Sequence, residues 1–202
     1  MTLKLVSQSA ALGFSPHSLE VLGNRIITSN DADGKVYFYD INFNLVSVSP
    51  NSGIDIASLV YDGRYFYVCD VTNNYIRVYC ARCNTLIRSI ELDFVPTGIT
   101  FDGKYFYVCN ADDDKIYKYD NNFKLIRKSA EFTFNPDGLA FLGKDLLICD
   151  NTNKKLFLYD INFNQIEEVF DVVYNPADVA FDGYFIYIAD SDNNLIKKYI
   201  YL

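Results

Sequence analysis

Apolar and polar positions along the chain alternate in short bursts that stop well before helical length. Residues 98–101 form one apolar run, followed by a tight turn at Asp102-Gly103. Residues 105–109 are apolar on both faces, as expected for a strand packed on two sides. Asn and Asp fill the turn at 110–114, residues 115–119 form a third strand, and 125–128 form a fourth after a turn at 120–123. Turn signals every eight to twelve residues predict an all-β chain with no helix. The pattern then repeats. Asp62-Gly63, Asp102-Gly103 and Asp182-Gly183, with Leu22-Gly23 and Leu142-Gly143 as variants, follow one another at intervals of 40. Tyr39, Tyr79, Tyr119, Tyr159 and Tyr199 keep this register, as do Pro16, Pro96, Pro136 and Pro176, with Ile56 as the exception. Five such units occupy 200 of the 202 residues.

A four-stranded unit of this size is a propeller blade. The predicted fold is a single domain, 1–202, forming a five-bladed β-propeller with four antiparallel strands per blade. The blades run over about 15–49, 55–90, 96–129, 136–170 and 176–202. The fifth takes its outer strand from residues 2–7, because the chain starts with what reads as a fourth strand and ends at 195–199 with a third. Pairing the two ends closes the ring and removes its open edges.

Composition narrows the partners. Lys and Arg number 18 against 26 Asp and Glu, a net charge of −8, which argues against binding a phosphate backbone. No apolar stretch is long enough for a bilayer-spanning helix. Residues 1–13 lack the basic start and apolar block of an export signal, so the five cysteines are expected to be reduced in a cytoplasmic compartment. The abundance of Asn, Ile, Lys, Tyr and Phe suits an AT-rich genome, such as that of a large DNA virus, a protist or a low-GC bacterium. With His17 the single histidine, most zinc sites and histidine-based triads are excluded.

The stretch Pro96-Thr97-Gly98-Ile99-Thr100-Phe101-Asp102-Gly103 with Tyr107-Val108-Cys109-Asn110 resembles the NHL-repeat propellers. Pro136-Asp137-Gly138-Leu139 with Ile148-Cys149-Asp150-Asn151-Thr152-Asn153 carries the same likeness, which covers essentially the whole chain. The resemblance implies the propeller fold. It leaves function open, because such propellers host binding scaffolds, lyases and hydrolases alike. Familiar members have six blades; this chain has room for five.

Residues that break the repeat are the better candidates for chemistry. His17 aligns with Ala57, Thr97, Asp137 and Ala177; Ser18 with Ser58, Gly98, Gly138 and Asp178; Glu20 with Val60, Thr100, Ala140 and Ala180. First strands line the axis of a propeller, so His17, Glu20, Asp137 and Asp178 are axial candidates for general acid–base work. Gluconolactonase-like propellers hold a divalent metal with axial carboxylates and Asn, and the resemblance implies that Asp137 or Asp178 imitates part of that. The polar lining of a structural channel is the competing reading.

Residues that recur in every blade read first as structure. Asn30, Asp70, Asn110, Asp150 and Asp190 could present a ring of oxygens to calcium or another divalent cation, or each could cap its own turn. Cys69, Cys109 and Cys149 share one blade position and are either ligands of a soft metal or small buried hydrophobes. Cys80 and Cys83 form a lone C-x-x-C where other blades place Asp and Phe in an outer turn. Without a second pair or a βαβ context they read as a divergent turn.

Phe94, Phe134 and Tyr174 recur in the links between fourth and first strands, on the same side of the ring as Asp31, Asp33, Asp112, Asp113, Asp114 and Asp192. Aromatic anchors with an acidic rim predict a binding surface for a basic protein. The expectation is therefore a monomeric, non-catalytic scaffold that needs no cofactor and binds neither nucleic acid nor membrane. The alternative is a lactonase-like propeller hydrolase or lyase with an axial, metal-assisted site. A carbohydrate-binding propeller is the third reading.

Overall fold

The computed structural model describes residues 2–201; the side chains of Asp31, Glu167, Glu168 and Val169 lie outside that description. Strand β1 (Leu3–Gln8) comes first. Blade 1 then follows as β2 (Leu19–Leu22), β3 (Arg25–Asn30), β4 (Lys35–Asp40) and β5 (Leu45–Val48). Blade 2 is β6 (Ile56–Tyr61), β7 (Tyr65–Asp70), β8 (Tyr75–Cys80) and β9 (Leu86–Glu91). Blade 3 is β10 (Pro96–Phe101), β11 (Phe106–Asn110), β12 (Lys115–Tyr119) and β13 (Leu125–Lys128). Blade 4 is β14 (Leu139–Phe141), β15 (Asp145–Asp150), β16 (Lys155–Asp160) and β17 (Gln165–Asp171), and the last elements are β18 (Pro176–Phe181), β19 (Phe185–Asp190) and β20 (Leu195–Tyr201).

These strands make five antiparallel four-stranded sheets in a ring, a five-bladed propeller with a single 3-10 turn at Asp31–Asp33 and no α-helix among the described residues. None of its helices is long and apolar enough to cross a membrane. Blade 5 has the strand order β1-β20-β19-β18, so the N-terminal strand closes the ring. Leu3 pairs with Tyr201, Leu5 with Tyr199 and Gln8 with Lys197. The strand reaches one residue further than the sequence pattern suggests because Gln8 still has Lys197 opposite it. Ser9 then prolongs the seam, its N–H donating to the Ile196 carbonyl and its Oγ accepting from the Ile196 N–H.

Burial follows position within the blade. Second strands are sandwiched between neighbouring blades, and β11 is buried at every residue. Fourth strands lie outermost, and β5 and β13 are exposed throughout. Each apolar cluster spans two adjacent blades, as in the group of Val60, Tyr67, Ile99, Phe106 and Tyr119. At the Asp-Gly turns, Asp62 Oδ1 accepts from the N–H groups of Arg64 and Tyr65, and Gly63 takes φ 98°, which a side chain would strain.

The links between blades correct the binding-surface expectation. Phe94, Phe134 and Tyr174 are 2%, 7% and 2% exposed and fill the gaps between blades. Phe94 packs on Tyr117 and Phe134 stacks on Phe157, while the Tyr174 hydroxyl meets that of Tyr199. Buried rings of this kind are core and offer no anchor to a partner.

Candidate functional site

Five first strands face the propeller axis, and each brings an edge with unpaired backbone groups. Such groups need partners where water is excluded. Asp178 supplies several at once. Its Oδ2 accepts from the Leu19 N–H of blade 1 at 2.9 Å and from the Ser58 hydroxyl of blade 2 at 3.0 Å. Its Oδ1 accepts from the Val179 N–H. Ser58 in turn accepts from the Ile99 N–H of blade 3. In blade 4, a Cβ on Gly138 would collide with Cα and Oδ1 of Asp178. One carboxyl therefore bonds blades 1, 2 and 5 and sits against blade 4, with Ser58 extending the network to blade 3, at the level of Ser18, Ser58, Gly98, Gly138 and Asp178, all buried. Burial raises its pKa well above the ordinary carboxylate range, against the lowering effect of its three donors.

This plug divides the axis in two. Towards the Asp-Gly turns lies a cavity of about 140 Å³ whose wall includes Glu20, Val60, Thr100, Ala140 and Ala180. The four equivalents of Glu20 are buried and apolar or hydroxylic, whereas Glu20 is half-buried. Glu20 Oε2 accepts from the Tyr61 N–H across the blade boundary at 3.1 Å, and Oε1 accepts from the Val21 N–H. Desolvation outweighs both hydrogen bonds and raises its pKa from 4.5 to about 7. A carboxyl with its pKa raised towards neutrality, placed in a cavity, has the properties on which general acid–base chemistry draws.

Towards the loop face the axis opens through the half-buried ring of His17, Ala57, Thr97, Asp137 and Ala177. Burial, with the charge of Asp150 behind it, raises the Asp137 pKa to about 6. Its Oδ2 is buried with no hydrogen-bond partner. Sequence symmetry thus brings His17, Asp137, Glu20 and Asp178 to one axis, but at three levels. It gave no warning of Ser58 and Gly138, the groups that accommodate Asp178; the sign available was that this level holds only small residues in the other four blades.

The recurrent ring of oxygens serves the turns. Asp70 Oδ1 accepts from the Asn73 N–H and its Oδ2 takes the Arg77 guanidinium at 2.8 Å. Asp190 binds Asn193 and the Lys197 ammonium, and Asp150 binds Asn153. In blades 1 and 3 the roles swap. Asn30 and Asn110 cap the N–H groups of Ala32 and Asp112, while Asp33 and Asp113 accept from the hydroxyls of Tyr37 and Tyr117. The first and fourth positions of each turn therefore hold one carboxylate and one amide, a combination that suits turn capping. No cluster of three or more His, Cys, Asp or Glu suited to a metal occurs among the described residues.

The acidic loop is likewise engaged. Asp112 Oδ2 accepts from the Val95 N–H, Asp113 Oδ2 from Lys115 and Tyr117, and Asp114 sits at φ 52° with its carbonyl accepting from Phe132. Asp31, whose side chain is not described, lies outside this account. All five cysteines carry free thiols. Cys69, Cys109 and Cys149 are fully buried, which pushes their pKa values well up. Burial lifts Cys83 to about 12, whereas backbone donors at Arg82 and Asn84 lower Cys80.

Fold and axis together define a five-bladed propeller with an axial cavity that holds one carboxyl, Glu20. No family model matches the chain, and no curated protein matches it in sequence. Solved structures do. The glutaminyl cyclase of Myxococcus xanthus superposes with a TM-score of 0.84 at 10% identity, covering 98% of this chain and 95% of that one. A catalytically inactive histidine-to-alanine variant of virginiamycin B lyase from Staphylococcus aureus, with quinupristin, superposes with a TM-score of 0.59 at 16% identity. That match covers 93% of this chain and 66% of the lyase chain. At these identities the likeness establishes the fold. Both neighbours are named as enzymes, which, with the buried link aromatics, overturns the expectation of a non-catalytic protein-binding scaffold.

Proposed function

We propose that the chain is a propeller enzyme with NHL-type blades, working from its axis on acyl transfer or elimination, with Glu20 as the general acid–base group. The observation that carries the reading is the Glu20 carboxyl, half-buried in an axial cavity and exchanging its proton near pH 7. The names of the two structural neighbours support the reaction class. In cyclisation of an N-terminal glutaminyl residue, the α-amine attacks the side-chain carboxamide carbon, a new C–N bond forms and the old one breaks, and ammonia leaves. The amine loses one proton and the departing nitrogen gains one. A single carboxyl able to take and return a proton meets that need, and proton abstraction in a lyase reaction draws on the same property. Asp178 acts as a positioning residue that holds the inner strands around the cavity.

A second placing of the chemistry, at the loop-face ring, is favoured by Asp137, whose unpartnered Oδ2 lies on the same level as His17. One assay separates the two. The chain is offered a glutaminyl peptide, a lactone and quinupristin, and ammonia release, ring opening or cleavage is measured. Glu20→Gln is expected to lower kcat/KM by about 100-fold or more. It should also abolish the rise in rate through pH 7. Full activity in Glu20→Gln, with loss in His17→Ala and Asp137→Asn, moves the site to the loop face. No turnover of any of the three by the parent chain overturns the reaction class.

A further inference from the structure

On the side of the Asp-Gly turns, three of the five blade interfaces carry a recurring Phe–Tyr pair; the interface of blades 4 and 5 has Leu147 at the Tyr position. Phe123 stacks on Tyr67 of the preceding blade at 5.7 Å, and Phe163 meets Tyr107 edge-on at 6.1 Å. Phe43 and Tyr187 belong to one cluster between blades 5 and 1. Between blades 1 and 2 both members of the pair are cut down together: Cys83 stands at the Phe position and Ile27 at the Tyr position. Phe38, edge-on to Phe66 at 6.3 Å, takes up part of the space. Two adjoining hollows of about 410 Å³ each remain, within the range of small-molecule pockets.

The same groove gains positive charge. Arg25 replaces Tyr65, Tyr105 and Phe185 of other blades, and Arg82 replaces Asn42, Asn122 and Asn162. Both arginines are exposed and line both hollows. Neither guanidinium has a hydrogen-bond or ion-pair partner among the described residues. The groove between blades 2 and 3 also opens at the rim, to about 570 Å³, but it keeps its Phe123–Tyr67 pair and Glu91 and Asp93 wall it. Three departures from the repeat, at positions 25, 27 and 82, thus meet at the groove wall, and the fourth, Cys83, is buried beneath it in the cluster with Ile27, Phe38 and Phe66; together they remove bulk and add two unpaired cations.

We propose that this groove binds a small monocarboxylate with a flat apolar body. The body occupies the room left by the missing Phe–Tyr pair, against Ile27, Phe38 and Phe66. The carboxylate sits between Arg25 and Arg82, whose planar donors match it. In a chain of net charge −8, the two adjacent arginines give an anion a locally positive place to dock. Leu22 and Tyr61 line both this groove and the axial cavity, but binding here needs none of the chemistry proposed for Glu20.

Titration with 2-naphthoate and its neutral amide, 2-naphthamide, followed by fluorescence and ligand-observed NMR, tests this. The acid is expected to bind about tenfold more tightly than the amide or better. Replacing both Arg25 and Arg82 with Ala should remove that preference and leave amide binding in place. Cys83→Phe, which restores the repeat, should abolish binding of both probes without lowering Tm. Equal affinity for acid and amide, undiminished binding in Cys83→Phe, or no binding of 2-naphthoate at millimolar concentration overturns the proposal. Should Cys83→Phe not fold, the rim arginine variant decides alone.

Discussion

Asp178 and Glu20 stand on the same axis two register positions apart, and both are carboxyls that burial pushes towards the protonated form. Their surroundings differ. Asp178 is 1% exposed, and its two oxygens accept from three donors contributed by blades 5, 1 and 2. Glu20 accepts two backbone N–H groups but faces a cavity. A desolvated carboxyl enclosed by donors is a fastener. One with a side open to a ligand is a reagent. Burial and a raised pKa do not separate these roles; access does.

The largest effect is expected where the seat of Asp178 is filled. Gly138→Ala places a methyl group against the Asp178 backbone, which cannot step aside, and should cost about 3 kcal/mol in urea denaturation. Wild-type stability in this variant would mean that the inner strands are not packed as described.

Next comes the change of carboxylate to amide at each position. In Asp178→Asn, whichever way the amide turns, its NH₂ meets a backbone N–H or the Ser58 hydroxyl, so a loss of about 2 kcal/mol is expected at low pH, shrinking as pH rises because the buried parent carboxyl loses its own stabilising contribution there. Glu20→Gln should change the pH dependence without the clash between donors. The folded pKa of about 7 lies above the unfolded value near 4.5, so the native state binds more protons between these limits. Its stabilising contribution is complete below pH 4.5 and is lost as pH rises through 7, a span of at most about 3 kcal/mol. Thermal unfolding from pH 4.5 to 8 should show this slope in the parent and a flatter one in Glu20→Gln. Equal slopes would place Glu20 in water rather than in a desolvated cavity. The smallest effect is expected from Thr100→Ala, on the same wall but without charge, at about 0.5 kcal/mol or less in denaturation and no change in pH slope.

The blades were plain in the sequence because a 40-residue period without gaps leaves few architectures, and the seam followed from the unmatched strands at the two ends. The axial candidates were visible as breaks in symmetry, His17, Glu20, Asp137 and Asp178 among them. Their division of labour was not. Whether a carboxyl faces three donors or a cavity depends on residues 40 to 160 positions away, as with Ser58 and Leu19 around Asp178. Phe94, Phe134 and Tyr174 misled for a related reason. A period of 40 shows that an aromatic recurs in a link but not whether it turns between the blades or out of them. Cys83 stood out as a replaced Phe, whereas its pairing with Ile27 needed the contact between blades 1 and 2.

The seam also sets an order of events. Blades 1 to 4 each take their four strands from one continuous stretch, so each is complete once that stretch has been synthesised. Blade 5 is different, because β1 is made before the four continuous blades and its partner β20 after them. Until then Leu3, Leu5 and Val6 sit on a strand with no neighbour, while the rest of the ring assembles beside it. Long-range closure of this kind is slow, and a waiting strand accepts the β20 of a second copy in the same register as its own. The seam that closes the ring is therefore also the point at which two nascent chains can exchange strands.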